Sequence, residues 1–156
     1  MSLISQGFDA LVARIETVLA VSVPSNGYKR IPNPYLVSDN PEPVLKNGYG
    51  VALLSAENTN RQLNCKFSVS RNMEVVLTRL FSGRDEDSVG KASLEKLLLE
   101  DQYKIINDLE QDISINGATM YTRYVSDSGI EFVSGVTGRF FMLKTQFSLE
   151  YLETFT

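Results

Sequence analysis

Histidine and tryptophan are absent from this chain of 156 residues, and cysteine occurs once, at Cys65. Without histidine the commonest general base and the commonest zinc ligand are both missing. A lone Cys65 cannot close an intrachain disulfide, so the fold must stand on its core, as intracellular proteins do. No run of apolar residues is long enough for a membrane span, and Arg14 and Glu16 interrupt what would be the apolar run of a signal peptide. A basic excess is lacking too: the net charge is −4 and the pI about 4.9. That balance argues against a protein whose work is gripping phosphate backbones, though not against one past which DNA slides without sticking. An apolar share of 43% with 22% charged residues is that of an ordinary globular chain, and the length suits one domain with a proper core.

What is present divides into β, helix and β. The segment Lys91 to Ile113 carries Leu94, Leu97, Leu98, Ile105 and Leu109 at three-and-four spacing, with Asp101 the one polar break in the stripe. Strand-like segments precede it from Tyr49 to Phe81 and follow it from Thr119 to Leu152, which predicts a helix packed across strands from both halves. The fold class expected is α+β: a mixed, largely antiparallel sheet with an N-terminal helix and a central helix packed on it.

The N-terminal helix is expected over Ile4 to Val21, with Ile4, Phe8, Leu11, Val12, Ile15, Val18 and Leu19 on one face, and Pro24 and Gly27 ending it. All five prolines fall between Pro24 and Pro43, in a segment that also holds Tyr28, Ile31, Tyr35, Leu36, Val37, Val44 and Leu45. Disordered linkers are poor in such residues. The segment from Ser22 to Gly48 therefore reads as an ordered loop, packed either on its own domain or against a neighbouring subunit.

Tyr49 to Ala56, apolar on both faces, reads as a central strand, and Glu57 to Gln62 as a polar turn. Leu63, Cys65, Phe67 and Val69 alternate with polar residues as a half-buried strand. A bend at Arg71 to Met73 then leads into a third strand, Glu74 to Phe81, with helix as the runner-up. Thr119 to Val125 and Ile130 to Val133 read as strands joined by a hairpin turn at Asp127-Ser128-Gly129. In the last element Phe141, Leu143, Thr145, Phe147, Leu149 and Tyr151 oppose Met142, Lys144, Gln146, Ser148 and Glu150. At roughly 3.3 Å per residue it reaches about 40 Å, so it is expected to bend at a bulge or to leave its own domain.

No constellation carries catalysis. The loop from Gly83 to Ser93 follows a strand and opens a helix, but six residues separate Gly83 from Gly90 and Ala92 follows Lys91, so the phosphate-loop pattern fails. Asp85, Glu86 and Asp87 lack the alternating oxygen ligands of a calcium loop, with Val89 and Lys96 at ligand places, and read as a solvated acidic turn. Cys65 shares the apolar side of its strand and reads as a buried thiol. The helix acids Glu95, Glu100, Asp101, Asp108, Glu110 and Asp112 read as a solvated face, or as the lining of a channel that repels DNA. Phe140 and Met142, on the far side of the last strand, point to a second packing surface. No catalytic residue, cofactor or metal ligand is assigned.

With its N-terminal helix, a proline-rich segment ending in NGYGVALLSAEN, the β block LNCKFSVSRNMEVVLTRLF, the polar loop SGRDEDSVGKAS, the helix LEKLLLEDQYKIINDLEQDI and the ending GRFFMLKTQFSLEYLET, nearly the whole chain resembles one family. It is similar to the tail terminator, or tail completion, proteins of long-tailed bacteriophages. The resemblance lies in length and order of elements. It implies a structural virion protein at the head-proximal end of the tail, assembled in the host cytoplasm. Such a protein forms a homohexameric ring that caps the tail tube when elongation stops. Its implied partners are further copies of itself, the tail tube protein and a head-completion or neck protein. DNA would pass through the ring without specific binding, and no membrane is involved. On that reading Tyr28, Ile31, Tyr35, Leu36, Asp85, Glu86, Asp87, Phe140 and Met142 are the candidate subunit or partner contacts. The alternatives are another head–tail connector or neck protein, or a non-viral intracellular ligand-binding or adaptor domain, with an enzyme last.

Overall fold

The alternation in the last element organises the sheet. A computed structural model of the protein describes residues 3–22, 28–30, 47–63, 66–81, 88–111, 120–135 and 138–154. Strand β5 (Gly138–Thr154) turns Phe141, Leu143, Thr145, Phe147, Leu149 and Tyr151 to one face, and all six are buried. It pairs antiparallel with β3 (Lys66–Phe81) without a break from Lys66↔Thr154 to Phe81↔Arg139. Outside these central strands lie β2 (Asn47–Leu63) on β3 and β4 (Met120–Gly135) on β5, both antiparallel. A two-residue β1 (Lys29–Arg30) pairs parallel with β2, giving the order β1-β2-β3-β5-β4.

Helices α1 (Leu3–Ser22) and α2 (Ser88–Gln111) both pack on the sheet face that carries Val69, Met73, Val75 and Leu77 of β3. From α1 come Leu11, Val12, Ile15 and Leu19; from α2, Leu98, Ile105 and Leu109. The architecture is thus α+β, with an N-terminal and a central helix on one face of a largely antiparallel sheet. As the β–helix–β order implies, α2 touches β3, β4 and β5.

Four local expectations need correcting, each for a physical reason. Glu57 to Gln62 is not a turn, because β2 runs on to Leu63. Its polar side chains from Glu57 to Thr59 are exposed, and the strand stays in the sheet by pairing Glu57↔Ser70 and Asn58↔Val69. Nor is there a bend at Arg71 to Met73, since β3 is continuous. The Asp127-Ser128-Gly129 signal marks a bulge inside β4, not a hairpin: Asp127↔Thr145 is followed by Ile130↔Leu143, so β4 holds one residue more than β5. Gly129 takes φ 72°, its N–H donates to Asp127 Oδ1 at 2.8 Å, and the Ser128 Oγ accepts from Lys144 N at 3.2 Å. The turn chemistry is real, but it re-aims a strand that then continues.

β5 itself neither bends away from β3 nor leaves its domain, because β3 is nearly as long and pairs with it throughout; the irregularities fall on β2 and β4. As expected of a strand apolar on both faces, β2 lies inside the strand order, between β1 and β3. Its two apolar faces have a cause in the packing. On the far side of the sheet Val76, Phe140 and Met142 form a second small apolar cluster with Val133 packed against it, and Ala52 is buried there too. At the β2 bulge between Leu53 and Ala56, the Leu54 carbonyl accepts from Arg71 Nη1 at 2.9 Å, while Arg71 Nε donates to the Tyr151 hydroxyl at 3.1 Å. One arginine thus closes a gap in backbone pairing and ties it to the central strand.

Candidate assembly surface

The orientation of α2 decides which of its side chains reach solvent, and buried polar contacts fix that orientation. Asp101 falls within the apolar stripe, one turn from Leu98 and Ile105, and is only 2% exposed. Its Oδ2 accepts from Arg79 Nη2 at 3.2 Å and from the Tyr28 hydroxyl at 2.6 Å. Arg79 Nε donates to the same hydroxyl at 3.2 Å, and its guanidinium carbon stands 5.4 Å from the Tyr28 ring centroid. Burial, reinforced by the Asp101 hydrogen bond, pushes the Tyr28 phenol well above its ordinary range.

One residue along, Gln102 Nε2 donates to Thr145 Oγ1 at 2.9 Å and to Asp127 Oδ2 at 3.2 Å, linking α2 to the β4 bulge. Near the C-terminal end of α2, Thr122 Oγ1 donates to the Leu109 carbonyl at 2.5 Å, and Glu110 Oε1 accepts the Tyr124 backbone N–H at 2.7 Å. Arg14 of α1 holds Asp108 at 2.6 Å. Among the described residues no buried side-chain nitrogen or oxygen lacks a hydrogen-bond partner.

With α2 held this way, its outward ridge carries Leu99 and Tyr103 in water, 48% and 66% exposed, while Leu97, 41% exposed, lies on the other flank of the buried stripe. Leu97 is therefore off the core stripe, contrary to expectation: Leu98 takes the buried place and Leu97 turns a full 100° away from it. An open depression of about 310 Å³ lies on this ridge, lined by Lys96, Leu99, Glu100, Tyr103 and Lys104. With one helix supplying all five of these side chains, it is an open surface depression rather than an enclosed ligand site.

Strand β4 forms the second apolar surface, with Tyr121 and Val125 at 45% and 55% exposed. Val125 is the extra residue of a bulge between Tyr124↔Phe147 and Ser126↔Gln146, which throws it outward. Two bulges and the Glu110 carboxylate on the Tyr124 N–H blunt this outermost strand against indiscriminate strand pairing. Contact here is therefore a matter of side chains.

The expected contact residues are only partly reached. Tyr28 is 9% exposed, and its hydroxyl is committed to Asp101 and Arg79 within its own core. Phe140 and Met142 are 5% and 3% exposed, and the second packing surface they pointed to is the chain's own far-side cluster. Ile31, Tyr35, Leu36, Asp85, Glu86 and Asp87 lie outside the described residues, as do Cys65 and Asp112. The described acids of the central helix do not share one face: Asp101 is in the core, Asp108 pairs with Arg14, Glu110 caps β4, and the exposed Glu95 and Glu100 alternate with Lys96 and Lys104. Sequence reasoning passed over Arg79, whose signal was available: a cation at a core position of the Val75, Leu77, Arg79 series must meet an anion, and Asp101 is the polar break in the α2 stripe.

Asp127 supplies a test of the bulge. The Gly129 N–H foremost, then the Tyr124 hydroxyl and Gln102, hold its carboxyl below the usual carboxylate range. A depressed folded value means its contribution is complete above the unfolded pKa of about 3.9 and is lost as pH falls through the folded value. The Gly129 amide is expected to titrate below that reference value in an NMR pH series, and Asp127→Asn to abolish the titration.

No protein-family model matches the chain, and no curated protein matches it. Among the described residues no helix is long and apolar enough to cross a membrane, and no three acidic or cysteine side chains group as metal ligands.

Proposed function

We propose that this chain is a structural virion protein of the tail-terminator kind, a ring that caps the phage tail tube, ends its elongation and joins the tail to the head or neck. The observation that carries the reading is the pair of exposed apolar surfaces, the α2 ridge of Leu99 and Tyr103 and the β4 residues Tyr121 and Val125. A rigid helix presenting leucine and tyrosine flanked by lysine and glutamate has the makings of a protein interface: apolar anchors inside a charged rim. The order of elements supports it as well, since it follows the family's in outline. The buried pair Asp101 and Arg79 and the half-buried pair Asp108 and Arg14 are spent on structure, and the reading assigns them no catalysis. Ring neighbours, the tube protein and a neck protein are the partners proposed, at the head-proximal end of the tail. The net charge of −4 suits a lumen that DNA crosses without adhering.

Replacing Leu99 and Tyr103 together by serine tests the surface. Both side chains are mostly in water in the single chain, so monomer stability is expected to move by no more than about 0.5 kcal/mol. Self-assembly is expected to weaken at least tenfold, because truncating interface anchors costs roughly 2 kcal/mol or more. Sedimentation velocity and thermal melting read the two quantities separately. Equal losses in both, or unchanged assembly, would remove α2 from the interface.

A further inference from the structure

We infer that the Glu110 carboxylate is an autoinhibitory cap on the edge strand β4, holding off the β4 of a second copy. Among the described residues β4 pairs only with β5, so backbone N–H and carbonyl groups on its outer side face away from the sheet. Tyr124 carries one of those outward N–H groups, and Glu110 Oε1 accepts it at 2.7 Å. A carboxylate oxygen there occupies the place that the carbonyl of an added strand would take. Glu110 also stands where a helix least favours an acid. It lies in the last turn of α2, which has no basic residue, at the negative end of the helix dipole. The Thr122 hydroxyl on the Leu109 carbonyl pins that turn beside the strand, within reach of the Tyr124 amide.

The occupant that the edge selects is a second copy of the same edge. Two β4 strands laid antiparallel with Thr122 opposite Thr122 set Tyr121 of each against Arg123 of the other. Tyr121 and Arg123 lie opposite Glu150 and Ser148 of β5, on the sheet face away from the helices, and both project into water. Each phenol ring can then take the other chain's guanidinium, and Glu150 beside it adds an opposite charge on the same face. Capped, β4 offers a neighbour only side chains; uncapped, it offers backbone. The cap belongs to one chain, so the inference is independent of the ring reading.

Residue-resolved amide exchange on the full chain, followed over a concentration series, tests it with two variants. Glu110→Ala removes the acceptor, and Glu110→Gln keeps one in the same place. In dilute Glu110→Ala the Tyr124 amide is expected to exchange at least tenfold faster than in the wild type, the effect of losing one charge-assisted hydrogen bond. As concentration rises, that amide is expected to regain protection while sedimentation velocity records dimers, because a second β4 takes up the donor. Glu110→Gln is expected to stay within about threefold of the wild type and to form no such dimers. Wild-type exchange in dilute Glu110→Ala, or equal acceleration in Glu110→Gln, would remove the cap. Fast exchange at every concentration would show an edge that no second copy takes, and would overturn the inference equally. Rings counted by electron microscopy in the same samples keep that failure apart from a failure of the ring reading.

Discussion

Asp101→Ala is expected to lower the unfolding free energy by about 3–5 kcal/mol, the cost typical of breaking a buried pair from one side. The substitution removes one carboxylate but strands three groups. Arg79, 7% exposed, loses its counter-ion, the Tyr28 hydroxyl loses its acceptor, and α2 loses its polar tie to β3. A guanidinium cannot discharge itself by giving up a proton, so the structure must let water in or expel the side chain. Removing both charges and the hydroxyl between them, as Arg79→Met, Asp101→Leu and Tyr28→Phe together, is expected to recover most of the loss, because a well-packed apolar cluster dispenses with the desolvation of two ions and leaves no polar atom unpaired. Urea unfolding of the two variants separates the outcomes. If Asp101→Ala costs under about 1 kcal/mol, the range of an exposed pair, the contact is not the buried anchor described.

Phe147→Ala should be nearly as damaging, at about 3–5 kcal/mol. Phe147 is fully buried on the central strand β5, opposite Met73 on β3 and Tyr124 on β4, and meets the Tyr124 ring edge-on with centroids 6.3 Å apart. Three strands and the helices close around this side chain, and the uninterrupted β3–β5 pairing leaves the sheet little freedom to collapse into the gap. Gln146→Ala, one residue along, exposed and on the other face, is expected to shift stability by no more than about 0.5 kcal/mol. Comparable losses at both positions would mean that the face assignment of β5 is wrong.

These two residues also show what could be read beforehand. Phe147 belongs to a run whose period of two is unbroken over six buried positions, so the strand and its inner face follow from spacing alone, whereas its central place in the sheet depends on β3 and β4 pairing along its length. The seven apolar residues on one face of α1 were equally legible. Asp101 was visible only as a flaw in a stripe, since no local pattern says which distant cation meets a buried acid. Leu97 and Leu98 are chemically alike, and whether one or the other turns inward depends on the α2 axis, which the Asp101 and Gln102 contacts set from the sheet side. The polar stretch from Glu57 to Thr59 was misread because strand pairing holds it where its composition would not. At Gly129 the residues of a turn serve a bulge, and local chemistry cannot distinguish the two without the partner strand. The exposed ridge of Leu99 and Tyr103 had no signal of its own, because exposure is a property of the packed molecule.

The ring reading meets its most direct test in electron microscopy of the purified chain, alone and mixed with tail tubes built from the cognate tube protein. The account predicts rings of six copies and a six-fold cap at one end of each tube, with growth from that end stopped. A chain that stays monomeric at high concentration and leaves tube ends bare and growing would contradict it.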